Sequence, residues 1–295
     1  MSDLFIKIVN FKKYKKPIIL FFTTFGFFII LSIITIIFKI EIQATDYVKI
    51  IKFDSTGHWI FYSFGMVVLA AIIGGLLGGY LLGPIFLYLH KSTIGRKMEY
   101  GIEIRKNPEK FNYTFRALFP GLTSINLALM LVINEDLVNN FIYIQKAGGE
   151  GVLITLGMLL SITVGISMFL FSSVWFLIDA GIVYSNAEKV ENKRDLIEIR
   201  SVGGWYLYFL QGFAGIGLAF SFYVFVITMI QKGFFEGPEL PLFLILPLII
   251  AILSIPAVIL LDITIEKRIK YMLRWAKKLG IIKHVQIKFE EVISK

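Results

Sequence analysis

The segment Trp59–His90 reads WIFYSFGMVVLAAIIGGLLGGYLLGPIFLYLH and contains no Asp, Glu, Lys or Arg. A helix rises about 1.5 Å per residue, so this segment is longer than the ~30 Å hydrocarbon core of a bilayer. Since no charge interrupts it, the segment predicts a transmembrane helix with enough length to tilt.

Small residues recur at every fourth position of this segment, at Ala71, Gly75, Gly79 and Gly83. Residues four apart share one face of a helix, and small side chains there let a second backbone approach closely. We predict a packing face here and similar faces on later apolar segments. The predicted packing residues are Ala71, Gly75, Gly79, Gly83, Gly157, Ser161, Gly165 and Gly215.

The composition also indicates a membrane protein, because 57% of the 295 residues are hydrophobic and the mean hydropathy is +0.76. A soluble domain of this length could not bury so much apolar side chain. The chain has no cysteine, which excludes disulfides and thiolate metal sites. Its three histidines are far apart in sequence, so we expect no metal site and no cofactor.

Six apolar segments are each long enough to cross a bilayer and are bounded by charged or turn residues. They are Pro17–Phe38, Trp59–Leu89, Asn112–Ile133, Gly151–Tyr184, Trp205–Gln231 and Leu240–Leu261. We therefore predict an all-α polytopic membrane protein with six transmembrane helices. The expected organisation is a basic interfacial segment (1–16), the six-helix domain (17–262) and a basic amphipathic tail (263–295).

The distribution of basic residues predicts the orientation of these segments. Of the 30 Lys and Arg residues, 25 lie in the two termini and in the loops after the second and fourth segments, counting Arg116. Cytoplasmic loops carry such an excess, so both termini are expected in the cytoplasm, most simply of a cell membrane.

A tetrapeptide, Ile-Glu-Ile-Arg, occurs at 102–105 and again at 197–200, each time before an odd-numbered segment. A related pattern precedes the first segment, and the even-numbered segments end in similar ways. This spacing of about 95 residues indicates three helical hairpins in parallel orientation. Chance similarity in an isoleucine-rich chain is the alternative explanation.

The stretch after Asp262 predicts an amphipathic helix. Apolar residues recur at helical spacing from Ile265 to Leu279, while Lys267, Lys270 and other cations occupy the remaining faces. Such a helix can lie on the cytoplasmic membrane surface and bind anionic headgroups, or its apolar face can dock on a protein partner. No base-reading module accompanies it, so no nucleic-acid partner is predicted.

Polar residues near the apolar segments are the candidates for a solute path or gate. His90, Asp179 and Asp262 stand at matched ends of even-numbered segments and, with Arg96 and Arg116, predict a polar ring at the cytoplasmic mouth. The alternative is that they mark where helices leave the bilayer. The full candidate set is His90, Arg96, Arg116, Asn126, Asp179, Gln211, Pro247 and Asp262.

Two functions are compatible with these features. The first is a permease, or the membrane subunit of a transporter, for a small or amphipathic solute, since the sixth segment is interrupted by Pro247 and the basic loops could receive a partner. The second is a non-transporting scaffold or lipid-interacting protein that organises partners through its small-residue faces. No P-loop, nucleophile elbow or catalytic pair is present, so an enzyme is the least favoured class.

Overall fold

The computed structural model describes residues 11–37, 56–93, 100–102, 113–133, 148–184, 201–232 and 239–281, and these are mostly helical. The helices are α1 (Phe11–Ile37), α2 (Thr56–Leu77), α3 (Gly83–Ser92), α4 (Tyr113–Ile133), α5 (Gly148–Asp179), α6 (Val202–Lys232), α7 (Glu239–Ile263) and α8 (Ile265–Lys278). A π-helical turn, Gly78–Leu82, joins α2 to α3, and two short strands, β1 (Tyr100–Ile102) and β2 (Ile182–Tyr184), pair with each other.

Within the described residues, four helical stretches are long and apolar enough to cross a membrane: Tyr14–Ile34, Ser63–Ser92, Gly157–Asp179 and Leu246–Ile263. The general prediction of a mostly helical membrane protein is therefore confirmed. The number of six spans and the three-hairpin arrangement stay predictions, as does the boundary drawn after residue 16. The basic residues Lys12, Lys13, Lys15 and Lys16 are part of α1.

The chain divides into two compact units that take different parts of the same long helices. The first unit comprises Met1–Gly74, Tyr113–Met168 and Phe213–Leu260, and the second comprises Gly75–Asn112, Phe169–Gly212 and Leu261–Lys295. Each is described by itself below.

In the first unit, glycines bring helix backbones into close contact. A Cβ added to Gly74 of α2 would overlap the carbonyl group of Gly165 in α5, and one on Gly121 of α4 would lie 2.8 Å from the Pro247 carbonyl oxygen of α7. Such approaches increase dispersion contacts between helices, which drive association where lipid removes the hydrophobic effect.

The second unit repeats this packing one helical step further along α5. A Cβ on Gly78 would overlap the carbonyl of Phe169, and one on Gly79 would overlap the ring of Phe176. A Cβ on Gly203 of α6 would lie 2.6 Å from the backbone nitrogen of Ile178. The closest approach thus involves Gly74 and Gly78. These two glycines form a row beside the predicted row of Ala71, Gly75, Gly79 and Gly83. All four residues of the predicted row are also buried.

The π-helical turn lies where this tight packing meets a proline. The Gly83 N–H bonds back to the Gly78 carbonyl, five residues earlier, and Pro84 follows directly. Proline has no N–H, so the carbonyl of Tyr80, four residues before it, loses its regular helical donor. Such bulges often occur at functional positions.

The two strands were not part of the all-α prediction. β1 and β2 pair antiparallel with Gly101 opposite Val183, and an isolated bridge joins Val183 to Ser201. Ser201 then caps α6, because its Oγ accepts the Gly204 N–H at 2.8 Å. Strands of three residues are too short to show an alternating pattern, which explains why the sequence did not reveal them.

Candidate functional site

Helix α8 is the element around which the second unit's polar groups gather. It begins after a single intervening residue, Thr264, at the end of α7. One side of α8 is buried, including Arg268, Met272 and Ala276. The apolar face therefore packs on the chain's own helices, whereas the sequence predicted contact with lipid or a separate protein.

A buried ion pair ties α8 to the end of α5. Arg268 is fully buried, and its Nη1 donates a hydrogen bond to Asp179 Oδ2 at 2.8 Å. The Arg268 guanidinium also lies 4.8 Å from the centroid of the Phe176 ring, a cation–π contact. Because a buried charge is costly without a partner, this pair fixes where α8 sits on α5.

Tyr271 of α8 completes the hydrogen bonding of the interrupted helix. Its hydroxyl donates to the Tyr80 carbonyl at 2.7 Å, the carbonyl whose regular helical donor is removed by Pro84. The two tyrosine rings lie edge to face with centroids 5.0 Å apart. The break in the long apolar helix is therefore satisfied from α8.

The far end of α8 is fixed by a glycine cap and a lysine. Gly280 adopts a φ of 63°, and the Ile281 N–H bonds to the Ala276 carbonyl at 2.9 Å, as in a Schellman motif. The Lys91 ammonium of α3 donates to the Leu279 carbonyl. We call the contacts Arg268–Asp179, Tyr271–Tyr80 and Lys91–Leu279 the α8 network.

His90 lies next to this network inside an aromatic cluster. Its ring is fully buried, with centroids 5.9 Å from Tyr206, 6.1 Å from Trp205 and 6.3 Å from Tyr100. Tyr206 also stacks on Phe86 at 4.6 Å and donates to the Phe86 carbonyl at 3.3 Å. Burial raises the pKa of Tyr100, which keeps its phenol neutral.

The predicted polar ring is only partly represented in the second unit. Asp179 is paired with Arg268, His90 is enclosed by aromatic rings, and Asp262 is buried. Arg116 is buried in the first unit, and Arg96 lies outside the described residues.

The remaining candidates occupy different positions. The Asn126 amide of α4 donates a long, 3.5 Å hydrogen bond to the Phe213 carbonyl of α6, and Pro247 faces Gly121. Gln211 is half-buried in the second unit. Gly215, assigned to a packing face by its spacing, is exposed, and a Cβ added there would meet nothing within 4 Å. A Cβ on Gly157 would lie 2.5 Å from the Ser63 hydroxyl, and one on Gly165 would lie 3.6 Å from the Ala70 carbonyl oxygen.

Sequence reasoning missed Arg268, Tyr271 and Lys91. Arg268 precedes Met272 by one helical turn, so it stands on the apolar stripe of α8, and a cation on such a stripe signals a buried partner. Nothing in the sequence indicates which acid that partner is.

The exposed side of α8 is strongly basic. Lys267, Arg274, Lys277 and Lys278 are exposed there, and Lys278 lies 4.9 Å from the Trp275 ring centroid. Among the described residues no group of three or more His, Asp or Glu could hold a metal ion.

No family model matches the chain, and comparisons with curated proteins and with solved structures give no match either. The fold alone defines the class, a polytopic helical membrane protein.

Proposed function

We propose that this chain is a permease-like integral membrane protein, or the membrane subunit of a transporter, for a small or amphipathic solute. The supporting observation is the α8 network, in which one short helix satisfies both the Asp179 carboxylate and the Tyr80 carbonyl. When α8 leaves, the Asp179 carboxylate loses the Arg268 ion pair and the Tyr80 carbonyl loses the Tyr271 hydroxyl at the same time. A helix with these contacts acts as a gate.

The connection between α7 and α8 supports this role. Thr264 alone separates the two helices, so a shift at the end of α7 moves α8 directly.

A cross-link tests this gate. A Cβ on Gly83 would lie 3.4 Å from Met272 Sδ, so the pair Gly83→Cys and Met272→Cys joins α3 to α8 through a short bifunctional thiol reagent. The chain has no native cysteine, which makes the reaction specific. We expect solute flux in reconstituted vesicles, loss of flux after cross-linking, and recovery after reduction.

Each single-cysteine variant, treated with the same reagent, is the matched control and should keep its flux. Unchanged flux after complete cross-linking would contradict the gate. Tight vesicles that pass no neutral, amphipathic or headgroup-bearing solute would contradict transport itself.

The basic face of α8 favours a second candidate, a lipid-interacting scaffold. Each Lys or Arg held near an anionic membrane surface contributes about 1 kcal/mol to binding. Changing Lys267, Lys270, Arg274, Lys277 and Lys278 to Gln should weaken retention of anionic lipid, measured by native mass spectrometry. A scaffold would show this loss together with a stoichiometric co-purifying protein and no flux.

A further inference from the structure

Several buried hydroxyl groups in the first unit donate to a carbonyl of their own helix, whereas two in α4 do not. The Ser161, Ser167 and Ser254 hydroxyls each donate to the carbonyl four residues earlier, at 2.7–2.8 Å. Serine in an apolar helix usually satisfies itself in this way. In α4, however, Thr123 and Ser124 are both fully buried, and within the described residues neither hydroxyl oxygen makes a hydrogen bond.

The Thr123 and Ser124 hydroxyls could also donate to the carbonyls four residues earlier, but they do not. A buried polar group without a hydrogen-bond partner costs about 1–3 kcal/mol of stability. Two such groups at adjacent positions are therefore unusual in a tightly packed helix. Their neighbour Asn126 is also buried, and its only described bond is the long one to the Phe213 carbonyl. Three uncharged polar side chains thus fall within one turn of α4.

The surrounding backbone is also interrupted here. Pro120 begins the same stretch of α4 and removes the helical donor to the Arg116 carbonyl, while Pro247 of α7 lies against Gly121. Polar groups concentrate where two proline-containing helices meet through a glycine. Thr123 is ten residues from the start of α4, so it lies about 15 Å along this 21-residue helix, near its middle.

We propose that the Thr123 and Ser124 hydroxyls bind a neutral hydroxyl group, supplied either by water or by a small hydroxylated solute. A hydroxyl group can both donate and accept a hydrogen bond, so it can pair with either of these side chains. Neither of the two side chains carries a charge, which disfavours an ion. Where the ligand is a solute, this inference rests on the proposed function and names a small hydroxylated compound as the substrate class.

Single cysteines test the site, because the chain has none of its own. A thiol reacts as its thiolate, which forms readily beside water or polar groups and poorly in dry apolar packing. We expect Ser124→Cys and Thr123→Cys to react with iodoacetamide, a small neutral reagent, at least about tenfold faster than Ser167→Cys and Ser254→Cys. The two controls replace equally buried serines that bond to their own helix.

Glycerol at molar concentration distinguishes the two sources of the hydroxyl group. Slowed labelling of Ser124→Cys in glycerol indicates a solute site, and rapid labelling without protection identifies water as the ligand. Labelling as slow as that of the controls overturns the proposal. Vesicle flux that continues with slow labelling would overturn this site while leaving the proposed transport intact.

Water-edited solid-state NMR of the unsubstituted protein provides a measurement independent of folding of the variants. Magnetisation transfer from water or glycerol to Thr123 should exceed the transfer to Ser167. Equal transfer to both residues would also overturn the proposal.

Discussion

Arg268 is fully buried and the Asp179 side chain is only 11% exposed, so their ion pair is largely removed from water. Replacing either residue breaks the 2.8 Å hydrogen bond between them, and a hydrogen bond to a charged group typically contributes about 1.5–3 kcal/mol. We expect Asp179→Asn and Arg268→Met each to lower the midpoint of thermal unfolding in detergent. Glu266→Gln, at an exposed position of the same helix, should change stability by less than about 0.5 kcal/mol.

The double variant separates pairing from packing. Asp179→Asn combined with Arg268→Met removes both charges, so it should be more stable than the sum of the single effects implies. Strict additivity would show that the 2.8 Å contact contributes no coupling energy.

Gly74 permits a second prediction about a single residue. A Cβ there would lie 2.9 Å from the Gly165 carbonyl carbon, against backbone that cannot rotate away. Gly74→Ala should therefore destabilise the protein by about 1–3 kcal/mol in thermal unfolding. Gly65→Ala, in the same helix with nothing within 4 Å, should be neutral or stabilising, and equal losses in both variants would contradict close packing at Gly74.

The spacing of small residues predicts that this helix packs closely but not which row is closest. Rows 71–75–79–83 and 74–78 are both small, and the partner helix selects between them through Gly165 and Phe169. A partner's position is tertiary information that periodicity does not contain. The same limit applies to Asp179, which the sequence singled out without its arginine.

Helix α8 depends on contacts with several parts of the chain. Tyr271→Phe removes the donor to the Tyr80 carbonyl, and loss of such a bond typically costs about 0.5–1.5 kcal/mol. We expect faster tryptic cleavage after Lys267 and Lys270 in this variant. Tyr88→Phe, at a residue 56% exposed, is the control, and identical cleavage rates would show that the hydroxyl does not hold α8.

The elements were predictable to different degrees. The long apolar helices and amphipathic α8 follow from composition and helical spacing, because both patterns are local. The π-helical turn, the β1–β2 pair and the docking of α8 on its own chain do not, since they depend on distant partners such as Phe169 and Tyr80. Amphipathicity indicates a buried face without identifying what buries it.

For the molecule as a whole, the excess of basic residues predicts both termini in the cytoplasm. Single cysteines at Ser2, Lys146 and Ser294 test this in intact cells with a membrane-impermeant maleimide. Only Lys146→Cys should react before the cells are opened. Labelling of just one terminal cysteine from outside would require an odd number of spans.

Placement in a bilayer was predictable because composition alone forces it: 57% hydrophobic residues need an apolar solvent. The solute, by contrast, was not predictable, because no sequence motif indicates a particular substrate. The candidate hydroxyl site shows why, since Thr123 and Ser124 are ordinary helix residues until burial and missing hydrogen bonds set them apart.

The bond between Tyr80 and Tyr271 also affects the order in which the protein matures. These residues are 191 positions apart, so at ~5–20 residues per second the ribosome delivers the donor roughly 10–40 s after the acceptor. During that interval the Tyr80 carbonyl lacks the hydrogen bond from the Tyr271 hydroxyl. A nascent chain that terminates before α8 would never form this hydrogen bond.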